Sequence, residues 1–245
     1  MLRRVRADLH VHTCLSPCGD LEMSPRKIVA RAREQGIGII GICDHNSAEN
    51  VPAVAGAATE LIVIPGLEVC SQEEIHVLAL FETMKAAEEM QAIVYHHLPG
   101  LNNPDLFGLQ VIASASDEVL GIQDKLLIGA TTMTIDAAVN EIHRLGGLAI
   151  AAHIDRESYS VISQLGFFPE TVRFDARELT RHTGTADARS RYGLSASSPF
   201  IRNSDAHFLN DLGSNTCEYT VEEPSFRELR KAISGQEGRM ICEEM

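Results

Sequence analysis

The sequence predicts an α/β fold in which βα units surround a parallel sheet, on three observations. Through the first half, a short apolar run, a polar turn and an amphipathic segment follow one another repeatedly. The run Ile37 to Cys43 is apolar throughout, as a strand covered on both faces must be. With 245 residues, 44% of them hydrophobic, the chain can bury one substantial core, and a single barrel-sized domain is as plausible as two small ones.

Val5 to Val11 reads as the first strand. Ser24-Pro25 then offers an N-cap with proline at the first helical position, Ile28, Val29 and Ala32 share a helical face, and Gly36 is a stop. Ile37 to Cys43 is the second strand, Ser47 to Ala58 a weaker helix, Leu61 to Ile64 the third strand and Ile75 to Phe81 the fourth. The rhythm then breaks. A helix-like stretch ends at Leu98-Pro99-Gly100 and Leu109 to Ala113 stands alone as a strand, so 84–132 is expected to be an insertion or cap over one barrel face. Thr134 can cap a helix running through Ile135, Val139 and Ile142 to Gly146-Gly147, after which Leu148 to Ala152 resumes the strands. Arg173 to Leu179 and Phe200 to Asn203 are later strand candidates, Pro224 to Ser234 a terminal helix, and Thr183 to Ser198 a mobile loop.

The net charge of -13 argues against an extended nucleic-acid surface, which depends on many Lys and Arg contacts to phosphate. It leaves a small anionic substrate open, because bound divalent ions would supply about +6 in a pocket of their own. The basic N-terminus leads into no apolar run of signal length, and no stretch is long enough to span a bilayer. Six cysteines lie scattered without a CxxC pair. A cytoplasmic protein without membrane contact is therefore expected.

Metal-binding residue types gather at the strand ends. Asp8-Leu9-His10-Val11-His12 closes the first strand, Asp44-His45 the second, Glu68 follows the third through Pro65-Gly66, and His153 ends the strand at Leu148. Asp205 and His207 follow the strand at Phe200, while His76 lies near the start of its own. In a parallel barrel the C-terminal strand ends share one face, where these residues would converge. Singly they read otherwise: an HxH as a solvated strand face, Asp44-His45 and Asp205-Ala206-His207 as turns or caps, Glu68 as a surface carboxylate, His153 as a core histidine. The ordered set is what favours metal.

That set, HxH, then DH, a lone Glu, a His, another His and a final DxH, resembles the PHP (polymerase and histidinol phosphatase) family from Asp8 to His207. The resemblance implies a distorted (β/α)7 barrel as a single domain over 1–245, with the small insertion after the fourth strand, and a site for two or three divalent ions of zinc, manganese or iron. Carried over, His10, His12, Glu68 and Asp205 would hold one ion, and His45 and His207 a second. Glu68 would bridge to a third on His76 and His153. Asp8 and Asp44 would orient imidazoles from behind. Histidines 96, 97, 143 and 182 match no motif and read as structural or surface residues.

The family commonly takes one more ligand from the loop after HxHT, and here that loop reads Thr13 to Glu22 with neither Asp nor His directly after Ser16. Asp20 is the favoured substitute, since Gly19 permits the bend that would return its carboxylate; Cys18 comes next, and Glu22 suits a helix N-terminus better. The implied activity is phosphate-ester hydrolysis by activated water on a small metabolite, nucleotide or short oligonucleotide. His45 or His207 would supply the leaving group's proton, and Arg156 would clamp the phosphate or else pair with Asp155 or Glu157. A hydrolase of amidohydrolase type and a non-catalytic metal-stabilised PHP module are the alternatives.

Overall fold

The computed structural model describes residues 1–195 and 197–242. In chain order the elements are β1 (Arg3–Val11), α1 (Pro25–Glu34), β2 (Ile39–Ile42), α2 (Val51–Ala57), β3 (Ile62–Cys70), β4 (His76–Leu80), α3 (Met84–His97), α4 (Pro104–Phe107), β5 (Val111–Ala113), β6 (Val119–Ile122), α5 (Ile135–Arg144) and β7 (Leu148–Ala151). Then follow α6 (Val161–Leu165), β8 (Ala176–Leu179), α7 (Thr185–Tyr192), β9 (Phe200–Arg202), β10 (Cys217–Val221), α8 (Phe226–Ile233) and β11 (Met240–Cys242).

Eleven strands form two sheets among the described residues: a small β5-β6 hairpin and a large sheet in the order β11-β10-β1-β2-β3-β4-β7-β8-β9. β1, β2 and β3 run parallel, as do β7, β8 and β9, and β4 runs against both of its neighbours. A parallel bridge between Val11 and Ala206, with the His12 amide donating to the Ala206 carbonyl at 3.0 Å, brings the segment after β9 back to β1. The expected barrel is thus nearly closed, but it is not a regular βα repeat.

Alternation divides the apolar residues into two layers. Ile64, Leu78, Leu80, Ile150 and Ile201 fill the lumen, and Tyr219 of β10 with Phe226, Leu229 and Ile233 of α8 plug its lower end. Ile40, Ile42, Val69, Val77 and Ala149 face outward under α1, α3 and α5. Pairing of β1 with β2 slips between Asp8 and Val11. This bulge lets Leu9 pack in the lumen while the next residue, His10, also points inward at its upper end.

Several expectations need adjustment. β3 does not stop at Ile64 but runs through Pro65-Gly66 to Cys70, exchanging its parallel partner β2 for the antiparallel β4. Gly66 makes the exchange possible, because a Cβ there would lie 2.8 Å from the Ala79 carbonyl oxygen and 2.9 Å from Cys43 Sγ. The putting aside of 84–132 as an insertion starts too early: α3 sends Ala87, Met90 and Val94 into the main core. Only the stretch from Leu98 leaves the sheet, and it docks on the upper loops through Asn46 and Asn50, whose side-chain amides donate to the carbonyls of Leu127, Gly129 and Val111. Ser24 stands at the N-cap of α1 without a capping bond, whereas Thr134 caps α5 as expected. The region expected as a loop over 183–198 contains α7, closed by Gly193 in the left-handed conformation; only Ala188 of that helix is buried, so no apolar period announces it, and residue 196 lies outside the described residues.

Candidate metal centre

The upper end of the lumen collects His10 and His12 from β1, His45 from the turn after β2, Glu68 from the second half of β3, His153 from the turn after β7, and Asp205 and His207 from the turn after β9. His76 belongs with them although it starts its strand, since β4 is reversed and its first residue lies at the end where its neighbours finish. All but Asp205 and His207 are buried, and these two are partly so. His153 and Asp205 adopt left-handed backbone, with φ of 26° and 48°, a strain that non-glycine residues bear mainly where a side chain must be aimed.

Glu68 is the hub. Its Oε2 lies 2.8 Å from His45 Nδ1, and its Oε1 lies 2.9 Å from His76 Nδ1 and 3.3 Å from His153 Nε2. His10 Nε2 and His12 Nε2 follow at 3.4 and 3.5 Å. Despite these approaches Glu68 Oε2 accepts no hydrogen bond, and the buried His153 Nδ1 has no partner. Beside the hub, His10 Nε2 and His12 Nε2 are 3.1 Å apart, and Asp205 Oδ1 lies 3.2 and 3.0 Å from them.

The far side of each ring fixes the tautomer. His10 Nδ1 sits 3.1 Å from both carboxylate oxygens of Glu178, so it carries the proton. Ser16 gives its only proton to Asp44 at 2.7 Å, and His12 Nδ1, 2.9 Å away, must donate to the Ser16 oxygen. The Nε2 lone pairs of both histidines therefore converge on the same point as the Asp205 carboxylate. One proton could relieve one of these contacts, whereas a divalent ion would satisfy all of them, and mixed imidazole and carboxylate donors suit zinc, manganese or iron. Three sets of donors could each hold an ion: His10, His12 and Asp205; His12, His45 and His207; and His45, Glu68 and His76.

Charge follows the same geometry. Burial works against an ionised Glu68, but His76, His10 and His45 hold its carboxyl well below the usual range. Burial likewise opposes charge on His10, yet Asp205, Glu178 and Glu68 lift its imidazole well above the ordinary value. His45 rises to about 10, Glu68 overcoming the effect of burial, while burial takes His76 down to about 4.

The loop after β1 departs from expectation. Asp20 does not join the cluster, because its carboxylate accepts the Glu22 amide at 2.8 Å within the loop's own turn. Cys18 is exposed at the mouth; burial works to raise its thiol, and His207 and His45 bring it down to about 6. Asp44 supports His12 through Ser16, as a residue behind a ligand should. Asp8 does not: its oxygens accept the amides of Ser204 and Gly213 at 3.0 Å each, fixing the turn that carries Asp205 rather than an imidazole. That supporting place belongs to Glu178, which sequence reading passed over. Its signal was one carboxylate inside the strand candidate Arg173 to Leu179.

Arg156 pairs with neither Asp155 nor Glu157 but reaches Asp205 Oδ2 at 2.5 Å, its side chain 44% exposed. It borders a cleft of about 430 Å³ together with His153, Glu178, Arg181, His182 and Asp205, where His182 is an exposed residue of the wall. Tyr159, also unforeseen, stacks on His76 with ring centres 4.7 Å apart.

A model of the PHP domain matches residues 8–144. A 5'-3' exoribonuclease of Haemophilus influenzae is 26% identical over 188 residues, 60% of this chain and 68% of that protein. The lesion-specific endonuclease Q of Pyrococcus furiosus superposes with a TM-score of 0.74 at 22% identity, over 98% of this chain and 58% of its own. A complex of endonuclease Q with a 27-mer duplex bearing an abasic lesion superposes with a TM-score of 0.70 at 20% identity, over the same shares. The chain thus spans a little over half the length of that endonuclease.

Proposed function

Because the chain belongs to the PHP domain family, we propose that it is a metal-dependent phosphoesterase acting on a nucleotide or short oligonucleotide. The observation that carries this reading is Glu68, one buried carboxylate among the ring nitrogens of five histidines, next to a cleft edged by Arg156. His10, His12, Asp205 and Glu68 would hold one divalent ion, His45 and His207 a second, and His76 and His153 with Glu68 a third. His45 reaches Glu68 as closely as His76 does, so it stands between the second and third positions. Bound ions of this kind lower the pKa of water near phosphorus and neutralise charge on the phosphoryl oxygens.

The chain's own residues supply the rest. His207 directs Nδ1 to the Asp205 carbonyl at 2.9 Å and is one-fifth exposed, so it suits proton delivery to a leaving oxygen better than the buried His45. Arg156 would exchange Asp205 for a phosphate oxygen when substrate enters, a pairing for which its planar fork is suited. The cleft has the volume of a small-ligand site, and Arg181 and His182 on its wall offer further donors to a second phosphate. The nuclease relatives support a nucleic-acid substrate in spite of the net charge of -13, since recognition at a strand end needs only the cleft.

Manganese- and zinc-loaded protein should hydrolyse bis(p-nitrophenyl) phosphate and 5'-phosphorylated oligonucleotides faster than sugar phosphates. Glu68→Gln should lose bound metal and at least about a hundredfold in rate, more than the effect of removing a partner behind a ligand. Hydrolysis of amides or lactones without phosphate esters would move the protein to the amidohydrolase type. Bound metal with no turnover on any substrate would make it a non-catalytic module.

A further inference from the structure

Asp155, Arg156 and Glu157 border two clefts, the one at the metal centre and a second of about 830 Å³. The far wall of the second comes from the turn after α6 and the end of α7. Gly166, in the left-handed conformation, stops α6, and the chain that leaves it presents Phe167 62% exposed. Phe168 instead packs edge-on against the buried Phe174, with ring centres 5.5 Å apart. The Arg177 guanidinium lies over the Phe168 ring at 4.8 Å, and that of Arg191 lies 5.7 Å from the centre of the Tyr192 ring. Arg177 forms no ion pair among the described residues, and its Nε is buried without a hydrogen-bond partner. Asp175, two residues before it, is occupied by His143 Nε2 at 2.9 Å and the Ala149 amide at 2.7 Å.

We propose that this second cleft is a nucleobase site, which receives the base of a nucleotide next to the one whose phosphate Arg156 holds at the metal centre. This rests on the phosphoesterase reading above and identifies what the rest of the substrate binds. Exposed aromatic rings beside arginines form a platform on which the bases of a single strand stack, and a strand crossing the shared border at Arg156 would bring a base to that wall. The charges favour a base over a further phosphate. Arg156, Arg177 and Arg191 are matched in the lining by Asp155, Glu157 and Glu170, so the cleft does not concentrate positive charge as a phosphate site would. Asp155 accepts the Thr180 amide at 3.0 Å and its hydroxyl at 2.6 Å, which leaves Glu157 and Glu170 as acceptors for the amino group of a base and the uncommitted Arg177 as a donor to its carbonyl.

Kinetics of the manganese-loaded full chain on short 5'-phosphorylated single strands, each made abasic at one nucleotide in turn, test it. Removing the base at one position should raise KM about tenfold with kcat little changed, the loss of one stacked base. Phe167→Ala, at an exposed side chain, should raise KM on the intact strand by the same factor at unchanged melting temperature, and should have no further effect on the strand already abasic at that position. Arg191→Ala should behave in the same way. Strands that are cleaved with no position sensitive to base removal, variants with unchanged KM, or a Phe167→Ala loss equal on intact and abasic strands would each overturn the base site and leave the phosphoesterase reading in place. Hydrolysis of bis(p-nitrophenyl) phosphate without cleavage of any strand also overturns the base site alone, whereas hydrolysis of neither overturns both.

Discussion

Glu178 acts on the histidine cluster from behind, away from the donor atoms proposed to hold an ion. Its carboxylate receives His10 Nδ1, the Asn203 amide at 2.7 Å and the His153 backbone amide at 2.9 Å, so one side chain orients two proposed ligands. Glu178→Gln would present an amide nitrogen to one of these donors. We expect metal affinity to fall about 10–100-fold, the usual effect of losing a partner behind a ligand, measured by competition with a chelator. Unchanged affinity would reduce Glu178 to a packing residue. Arg156 poses the opposite case, a side chain 44% exposed that pairs with Asp205. Arg156→Ala should lower kcat/KM on a phosphate ester about 10–100-fold, the equivalent of a charge-assisted hydrogen bond of about 1.5–3 kcal/mol, and leave thermal stability nearly unchanged. A large drop in Tm with normal kinetics would mean that the arginine only neutralises Asp205.

At the scale of elements, the exchange of partners along β3 decides where Glu68 sits. Gly66→Ala should force a Cβ against the Ala79 carbonyl, Cys43 and Leu80, costing about 1–3 kcal/mol in chemical denaturation and lowering metal content by shifting Glu68. A stable variant with full metal content would show the strand can yield there. The strands from Val5 to Cys43 were legible because continuous apolar runs with turn residues at their ends have few other readings. The proposed ligand histidines other than His76 were legible for the same reason, each ending or following such a run. What stayed hidden depended on contacts between distant segments. The reversal of β4 explains why His76 stands at a strand start, yet antiparallel and parallel strands carry the same alternation. Glu178 is a single carboxylate among ordinary strand residues until β8 lies beside β7 and β9. Asp20 is turned away from the histidines only because its carboxylate accepts the Glu22 amide while its own amide donates to the His207 carbonyl, contacts that the loop's sequence does not announce.

For the molecule as a whole, a buried imidazole cluster makes the metal-free protein sensitive to pH in both directions. His45 has a folded pKa of about 10 against an ordinary 6.5, so its contribution to stability is complete below 6.5 and is lost as pH rises through 10. His76 has a folded pKa of about 4, so its contribution is present above 6.5 and is lost as pH falls through 4. Denaturation midpoints of chelated protein should therefore be highest near neutrality and lower at about pH 5 and about pH 9; a profile rising steadily in either direction would contradict the cluster's arrangement. The near-closure of the barrel carries a further consequence. Val11 and Ala206 meet at a narrow seam, and His12 and Asp205, 193 residues apart in the chain, are the residues that face each other across it. An ion held between them would be a removable cross-link that ties off a loop of almost the entire polypeptide, and cross-links of long loops restrict the unfolded chain most. Stripping such an ion should therefore unzip the molecule from this seam, with the His12 amide exchanging its hydrogen for deuterium sooner than the amides of β2 or β3, so that the cofactor proposed for the chemistry would also be the clasp of the fold.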